Sequence, residues 1–270
     1  MSTRFEKWEG LGNDFVIVSG DEAIDPIAVC DRHRGVGADG VLVVRGGARP
    51  SMAVINADGS EPEMCGNGLR CAALYLVQQG QAKAGEVFVV DTAAGPHACE
   101  VIDVDRAIVR VAMRAPNLTS ANVPTTLGDQ KAFDVPFEVL GRTVHITAVS
   151  MGNPHAVIFD AIDAIDRASI GPAIERNTIA FPERVNVGFA SLTGPRAITL
   201  HVFERGAGWT EACGTGACAA AVAAIETGRI ARGGPIAVTL PGGTLEIEAR
   251  DGELVLMTGP ARRVFVGQLG

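Results

Sequence analysis

Asn56-Ala-Asp58-Gly-Ser60-Glu-Pro-Glu63-Met-Cys65-Gly66-Asn67-Gly68 can be laid on Glu204-Arg205-Gly206-Ala-Gly208-Trp209-Thr-Glu211-Ala-Cys213-Gly214-Thr215-Gly216 without a gap. Both stretches read as a strand end, a polar turn, a Cys-Gly-x-Gly step and a helix. An internal repeat of this kind marks a duplicated unit. It decides the fold: two lobes of similar design, each with a central helix whose mouth carries a cysteine. The two helices run roughly Gly66–Gln79 and Gly214–Thr227. The second has small apolar residues on every face, and a helix apolar all round belongs inside a sheet.

Working outward, short apolar or alternating runs read as strands at Phe15–Val18, Val41–Val44, Met52–Ile55, Val87–Val90, Ala107–Val111, Thr143–Ser150, Ala156–Phe159, Ala197–Val202, Ile236–Leu240, Thr244–Ala249 and Leu254–Met257. Short polar turns at 103–106, 241–243 and 251–252 join several of them, which implies hairpins and largely antiparallel pairing. A further helix is expected over Pro26–Arg32. The fold class is α+β: two pseudo-symmetric lobes, each a mostly antiparallel sheet wrapped around a central apolar helix. The first lobe spans 1–115 and carries Cys65, and the second spans 116–258 and carries Cys213. Pro116 and the Ser-, Thr-, Pro- and Gly-rich Thr119–Asp129 read as the linker.

The 270 residues are 47% hydrophobic and 20% charged, a globular composition, and 23 basic against 31 acidic residues give a net charge of −8. With no basic cluster, a nucleic-acid partner is not expected. The N-terminal stretch lacks the apolar core of a signal peptide and no window suits a membrane span, so the expected location is cytoplasmic, with no membrane partner. There the six cysteines stay reduced.

A cysteine at a helix mouth meets N–H groups that lack partners inside the helix and the positive end of the helix dipole, which together stabilise a thiolate. Flanking glycines let the backbone approach an anion. Two such turns facing each other across a cleft could hold one carboxylate and present a sulfur to each face of the adjacent carbon. That geometry suits moving a proton from one face of Cα to the other, with thiolate and thiol exchanging roles. Nearby His155 and Glu204 could set the two thiol pKa values, and Arg205 is placed to clamp a carboxylate. Cys30, Cys71, Cys99 and Cys218 read as core residues, and His33, His97, His145 and His201 as structural or surface residues. No spacing suits zinc, so no metal is expected. Gly35-Val-Gly37-Ala-Asp-Gly40 matches a dinucleotide fingerprint in letters but leads from a helix into a strand, the wrong context. Lys7 carries no pyridoxal phosphate signature.

At these residues the sequence resembles the diaminopimelate epimerase family. The resemblance is carried by Gly10-Leu-Gly-Asn13-Asp-Phe15, Arg34-Gly-Val-Gly-Ala-Asp39, Asn56 to Ser60 with Cys65-Gly-Asn-Gly68 and Arg70, Ser150-Met-Gly-Asn-Pro-His155, Glu183-Arg-Val-Asn186, and Glu204 to Gly208 with Cys213-Gly-Thr-Gly216. It implies a cofactor-independent epimerase interconverting LL- and meso-2,6-diaminopimelate in lysine and cell-wall precursor synthesis. Cys65 and Cys213 match the acid/base thiols, and His155 and Glu204 match the residues that tune and orient them. The reacting carboxylate would lie against N–H groups of Gly66, Asn67, Gly214 and Thr215. Asn13, Asn56, Asn153, Asn186, Glu204 and Arg205 would read the distal amino-acid end. The resemblance also implies that the last segment, 259–270, returns to the first lobe. Trp8-Glu9, Gly40 and Trp209 depart from the family pattern. Phe265 stands near a tyrosine linked to dimerisation in some members, which leaves a homodimer open. Proline-type racemases share the two-cysteine plan but usually carry histidine where Asn67 stands. Phenazine-type isomerases use a carboxylate base, and a non-catalytic thiol-redox protein is the reading from another class.

Overall fold

The computed structural model describes residues 3–20, 24–249 and 253–270, so the turn read at 251–252 lies outside the described residues. The chain forms two compact units, Met1–Ala112 with Thr258–Gly270 and Met113–Met257.

In the first unit β1 (Thr3–Gly10) turns through Leu11 and Gly12, both at positive φ, into antiparallel β2 (Asn13–Ser19). Parallel strands need a crossover, and α1 (Pro26–Cys30) supplies it between β2 and β3 (Gly40–Arg45). Asp25 starts α1 by accepting from the Ile27 and Ala28 N–H groups, with Pro26 in the first turn. Next, β4 (Ser51–Asn56) pairs antiparallel with β3, and α2 (Gly66–Gln78) crosses to β5 (Val87–Thr92), parallel to β4. β6 (Gly95–Asp103) and β7 (Ile108–Ala112) complete an antiparallel meander.

The second unit repeats this order of ladders. β8 (Val135–Val139) and β9 (Arg142–Ser150) form a hairpin, and β10 (Pro154–Ile158) is antiparallel to β9. Helix α3 (Ala164–Glu175) crosses to β11 (Asn186–Gly194), parallel to β10, and β12 (Ala197–Glu204) returns antiparallel. The short β13 (Gly208–Trp209) precedes α4 (Gly214–Glu226), which crosses to β14 (Ile236–Leu240), parallel to β12, with β15 (Gly243–Glu248) antiparallel to it. β16 (Leu256–Pro260) carries the chain back to the first unit, where β17 (Arg262–Leu269) pairs antiparallel with β1.

Each unit wraps its central helix. α2 is buried from Gly66 through Leu76 against β1, β2, β3, β4, β6 and β7, and α4 from Gly216 through Ile225 against β9, β10, β11, β12, β14 and β15. Strands close in on every side, which selects the alanines of α4 and the glycine at its entry.

The sequence reading names no strand at β6, β8 or β11, and three further features depart from it. Helix α3 is absent from it because Pro172 stands inside and reads as a break, although Asp163 caps the start and Ile170 and Ile174 are buried. β1 hides behind its charges, yet Glu6 and Lys7 are buried: Lys7 Nζ reaches Asp14 at 2.5 Å and Gly37 O, and Trp8 Nε1 donates to Glu6 at 3.0 Å. Thr119–Asp129 is no linker but part of the second unit. Val123 packs with Ala132 and Ala148, and Thr125 Oγ1 donates to Ala180 O at 2.9 Å.

The Gly35–Gly40 turn folds back on the end of α1, with the Val36 N–H donating to Val29 O at 2.9 Å. A Cβ on Gly35 would stand 2.2 Å from Ala28 O and 2.6 Å from Val29 O, so this glycine serves backbone packing. Gly35→Ala is expected to destabilise the protein by about 2 kcal/mol. A denaturant midpoint equal to wild type would contradict that.

Candidate active site

In the first unit Cys65 is the N-cap of α2, in extended conformation, and its Sγ accepts the Gly68 N–H at 3.5 Å. Asn13, at the start of β2, brings its Oδ1 to 3.8 Å from Cys65 Sγ and 3.2 Å from Asn67 Nδ2. Gly68 has the space constraint expected of the motif, since a Cβ there would meet Leu42 at 2.9 Å. Cys65, Gly66, Asn67 and Asn13 thus gather at one helix mouth. Asn56 ends β4 opposite Gly40 and holds the following turn, its N–H on Ser60 O at 2.8 Å and its Nδ2 on Ser60 Oγ at 2.9 Å.

In the second unit Cys213 caps α4, with Sγ 3.7 Å from Thr215 Oγ1. A Cβ on Gly216 would come within 3.1 Å of both Cys213 Sγ and Val202. Asn153 Nδ2 donates to Thr215 Oγ1 at 3.3 Å, and its Oδ1 lies 3.0 Å from His155 Nε2. With that oxygen as acceptor, the neutral imidazole carries its proton on Nε2. His155 on β10 stands opposite Asn186 on β11. The Asn186 side chain spans Pro154 O (2.9 Å) and the Arg205 N–H (3.0 Å), and Arg205 Nη1 donates to Glu183 O at 2.8 Å. Glu204 ends β12 and accepts from Thr210 Oγ1 at 2.5 Å. The structure therefore links Asn153, His155, Cys213 and Thr215 in one network beside Glu204, with Asn186 holding Arg205.

Electrostatics separate these groups. Burial, assisted by the charge of Arg205, pushes His155 down to about 3, so it is neutral at physiological pH. Burial raises Glu204, opposed by hydrogen bonds from Thr210 and Cys213. Burial first, and then the Glu204 charge, pushes Cys213 well up, leaving it a thiol that bonds to Glu204.

The sequence reading missed four supports. Thr210 orients Glu204. Glu175, at the end of α3, accepts the Gly206 N–H at 3.3 Å and pairs with Arg184, fixing the turn after Arg205. Arg70 and Asp39 lie within the quoted motifs, but their contacts to Asn67 and Asn13 are tertiary. Trp209, on β13, packs against Phe203 with ring centroids 5.4 Å apart and against Phe189 at 5.9 Å. It lines a cavity of about 300 Å³ with Arg167, His201 and Glu211.

Cys65 is half-buried, whereas the other five thiols are buried. Burial also raises Cys30 and Cys71, and pushes Cys99 up to about 12. Iodoacetamide is therefore expected to modify native Cys65 first. Earlier modification of Cys71 or Cys99, read by peptide mapping, would contradict the structure. The unfolded chain binds a proton at His155 near pH 6.5 and the folded chain only near 3. In that window the unfolded state holds more protons, so acid lowers stability as pH falls from 6.5 towards 3. Replacing His155 by Gln should flatten this limb of the stability curve; an unchanged slope would count against a neutral His155.

Comparison with known proteins gives a consistent picture. The diaminopimelate epimerase family profile matches residues 5–119 and 147–264. The diaminopimelate epimerase of Nostoc punctiforme is 42% identical, covering 100% of both chains, and that of a Picosynechococcus species is 44% identical, covering 100% of this chain and 99% of the other. Among solved structures, a probable proline racemase from Agrobacterium radiobacter superposes with a TM-score of 0.72 at 16% identity, covering 99% of this chain and 93% of that one. A phenazine biosynthesis protein of the PhzF family from Bacillus anthracis gives 0.71 at 14%, covering 100% and 99%. These last two show the shared α+β two-lobe fold. By the extent of the profile match and the identity to full-length relatives, the chain belongs to the diaminopimelate epimerase family.

Proposed function

We propose that the protein interconverts LL- and meso-2,6-diaminopimelate without a cofactor, as a step in lysine and cell-wall precursor synthesis, in the cytoplasm where its thiols stay reduced. The observation that carries this reading is the repeated cysteine, one at the N-terminus of each sheet-enclosed helix. Inversion at Cα needs a base on one face and an acid on the other. One cysteine, as thiolate, removes the Cα proton and becomes a thiol. The other, as thiol, delivers its proton to the opposite face and becomes a thiolate. The reverse reaction uses the same pair with roles exchanged.

The electron pair left at Cα spreads into the carboxylate. N–H groups of Gly66, Asn67, Gly214 and Thr215, at the two helix mouths, meet that charge. When Cys213 acts as base, Glu204 takes up its thiol proton in the existing hydrogen bond, while neutral His155 orients Asn153 and Thr215 without adding charge. The distal amino-acid end of the substrate needs donors and acceptors together. Asn13, Asn56, Asn153, Asn186, Glu204 and Arg205 supply both, and a substrate lacking that end leaves them unpaired, which penalises monoamino acids.

Proton NMR in D2O, without pyridoxal phosphate, should show α-deuteration of LL-diaminopimelate while alanine and proline stay inert. Preferential exchange of proline would replace the substrate assignment. Replacement of Cys65 or Cys213 by Ala should abolish turnover, and Cys99→Ala should retain most of it. Normal turnover in both active-site variants would sink the two-thiol mechanism.

A further inference from the structure

Beside Cys65 lies a hydrogen-bond chain with a built-in direction. Arg70 is wholly buried, with Nε donating to Pro260 O at 3.1 Å and Nη2 to Asn67 Oδ1 at 3.0 Å. Asn67 Nδ2 donates to Asn13 Oδ1 at 3.2 Å, and Asn13 Nδ2 to Asp39 Oδ2 at 2.7 Å. Asp39 also accepts the Asp14 N–H at 3.0 Å and pairs with Arg32 at 2.7 Å. A guanidinium only donates and a carboxylate only accepts. The two amides between them therefore have one orientation, because reversing either sets oxygen against oxygen or N–H against N–H. Asn13 must show its oxygen, not its nitrogen, to Cys65 Sγ.

We propose that Arg70 and Asp39 are a positioning pair that fixes the direction of the Asn67–Asn13 amide chain and so aims an acceptor oxygen at the Cys65 thiol. The S–H form of Cys65 finds its partner in Asn13 Oδ1, and the thiolate form finds the Gly68 N–H on the same sulfur. A proton can then leave or arrive without rearrangement of the protein. The catalytic meaning of this device rests on the reading of Cys65 as an acid/base thiol.

The test is a double-mutant cycle with wild type, Arg70→Gln, Asp39→Asn and the double variant, reading the pH profile of Cys65 alkylation by iodoacetamide with peptide mapping. Each single variant leaves one end of the chain pinned and differs by one lost charge: Arg70→Gln slows alkylation at neutral pH and Asp39→Asn speeds it. The double variant balances those charges and frees both amides, so the Asn13 nitrogen can turn to the sulfur and favour thiolate. Its rate should exceed the value expected from multiplying the single-variant effects by about fivefold. Agreement with that product would overturn the proposal. If the Arg70 variants do not fold, neutron diffraction of deuterium-exchanged wild-type crystals decides: oxygen of Asn13 towards Sγ is expected, and a deuterated nitrogen there overturns the proposal. Alkylation reads the thiol itself, so failure here is separate from failure of the catalytic reading, which Cys65→Ala turnover tests.

Discussion

A helix enclosed by its own sheet can touch solvent only at its ends, and this constraint organises both halves of the protein. Small residues line α4, where alanines from Ala217 to Ala224 let six strands close in, and Gly68 and Gly216 bring each helix entrance against β3 or β12. The first-turn N–H groups cannot be satisfied within the helix. With the flanks sealed by strands, the N-terminal mouth is where an anion can meet them, and there each unit places a cysteine as N-cap. The turn that packing demands is therefore also the one that presents these N–H groups and the cysteine sulfur.

The two mouths share a backbone plan and differ in their electrostatics. Around Cys65 the partners are an acceptor oxygen, a backbone donor and, further out, the pair Arg70 and Asp39. Lys7 and Arg32 flank the neighbouring Asp14, and their hydrogen bonds and charges outweigh burial and hold its carboxyl down at about 2. Around Cys213 the partners are a buried carboxylate, a hydroxyl and a neutral imidazole. Cys213 lies in the drier surroundings, and burial together with the Glu204 charge keeps its proton on sulfur. A duplicated scaffold thus gives each unit the same turn with unlike surroundings for its cysteine.

Much of this was legible because a repeat is a property of the chain itself. The Cys-Gly-x-Gly steps, the apolar α4 and the alternating runs of β9 and β12 all announce themselves locally. Where local signals conflict with tertiary context, the reading fails for identifiable reasons. Pro172 masks α3, the charges of Arg4, Glu6, Lys7 and Glu9 mask β1, and the polar Thr119–Asp129 looks solvated although its hydroxyls bond to backbone. Contacts made within a short motif, such as Cys65 with Gly68 and Asn153 with His155, lie close enough in sequence to be anticipated. Those made with distant partners, such as Glu175 bracing Gly206 and Asp39 holding Asn13, do not, because nothing in their own neighbourhood signals the contact.

Trp209 shows how an aromatic side chain can brace a short strand beside the candidate site. Its indole crosses Phe203 edge-on and tilts over Phe189, and so helps secure β13, a strand of two residues paired with β12. The residue after it, Thr210, is the donor that holds Glu204 at 2.5 Å. An edge this short gains little from backbone hydrogen bonds alone. The aromatic trio supplies the remaining order, and through Thr210 that order reaches the carboxylate facing Cys213. On this geometry Trp209 bears on the direction of Glu204 through Thr210, while its exposed part lines the cavity with Arg167, His201 and Glu211.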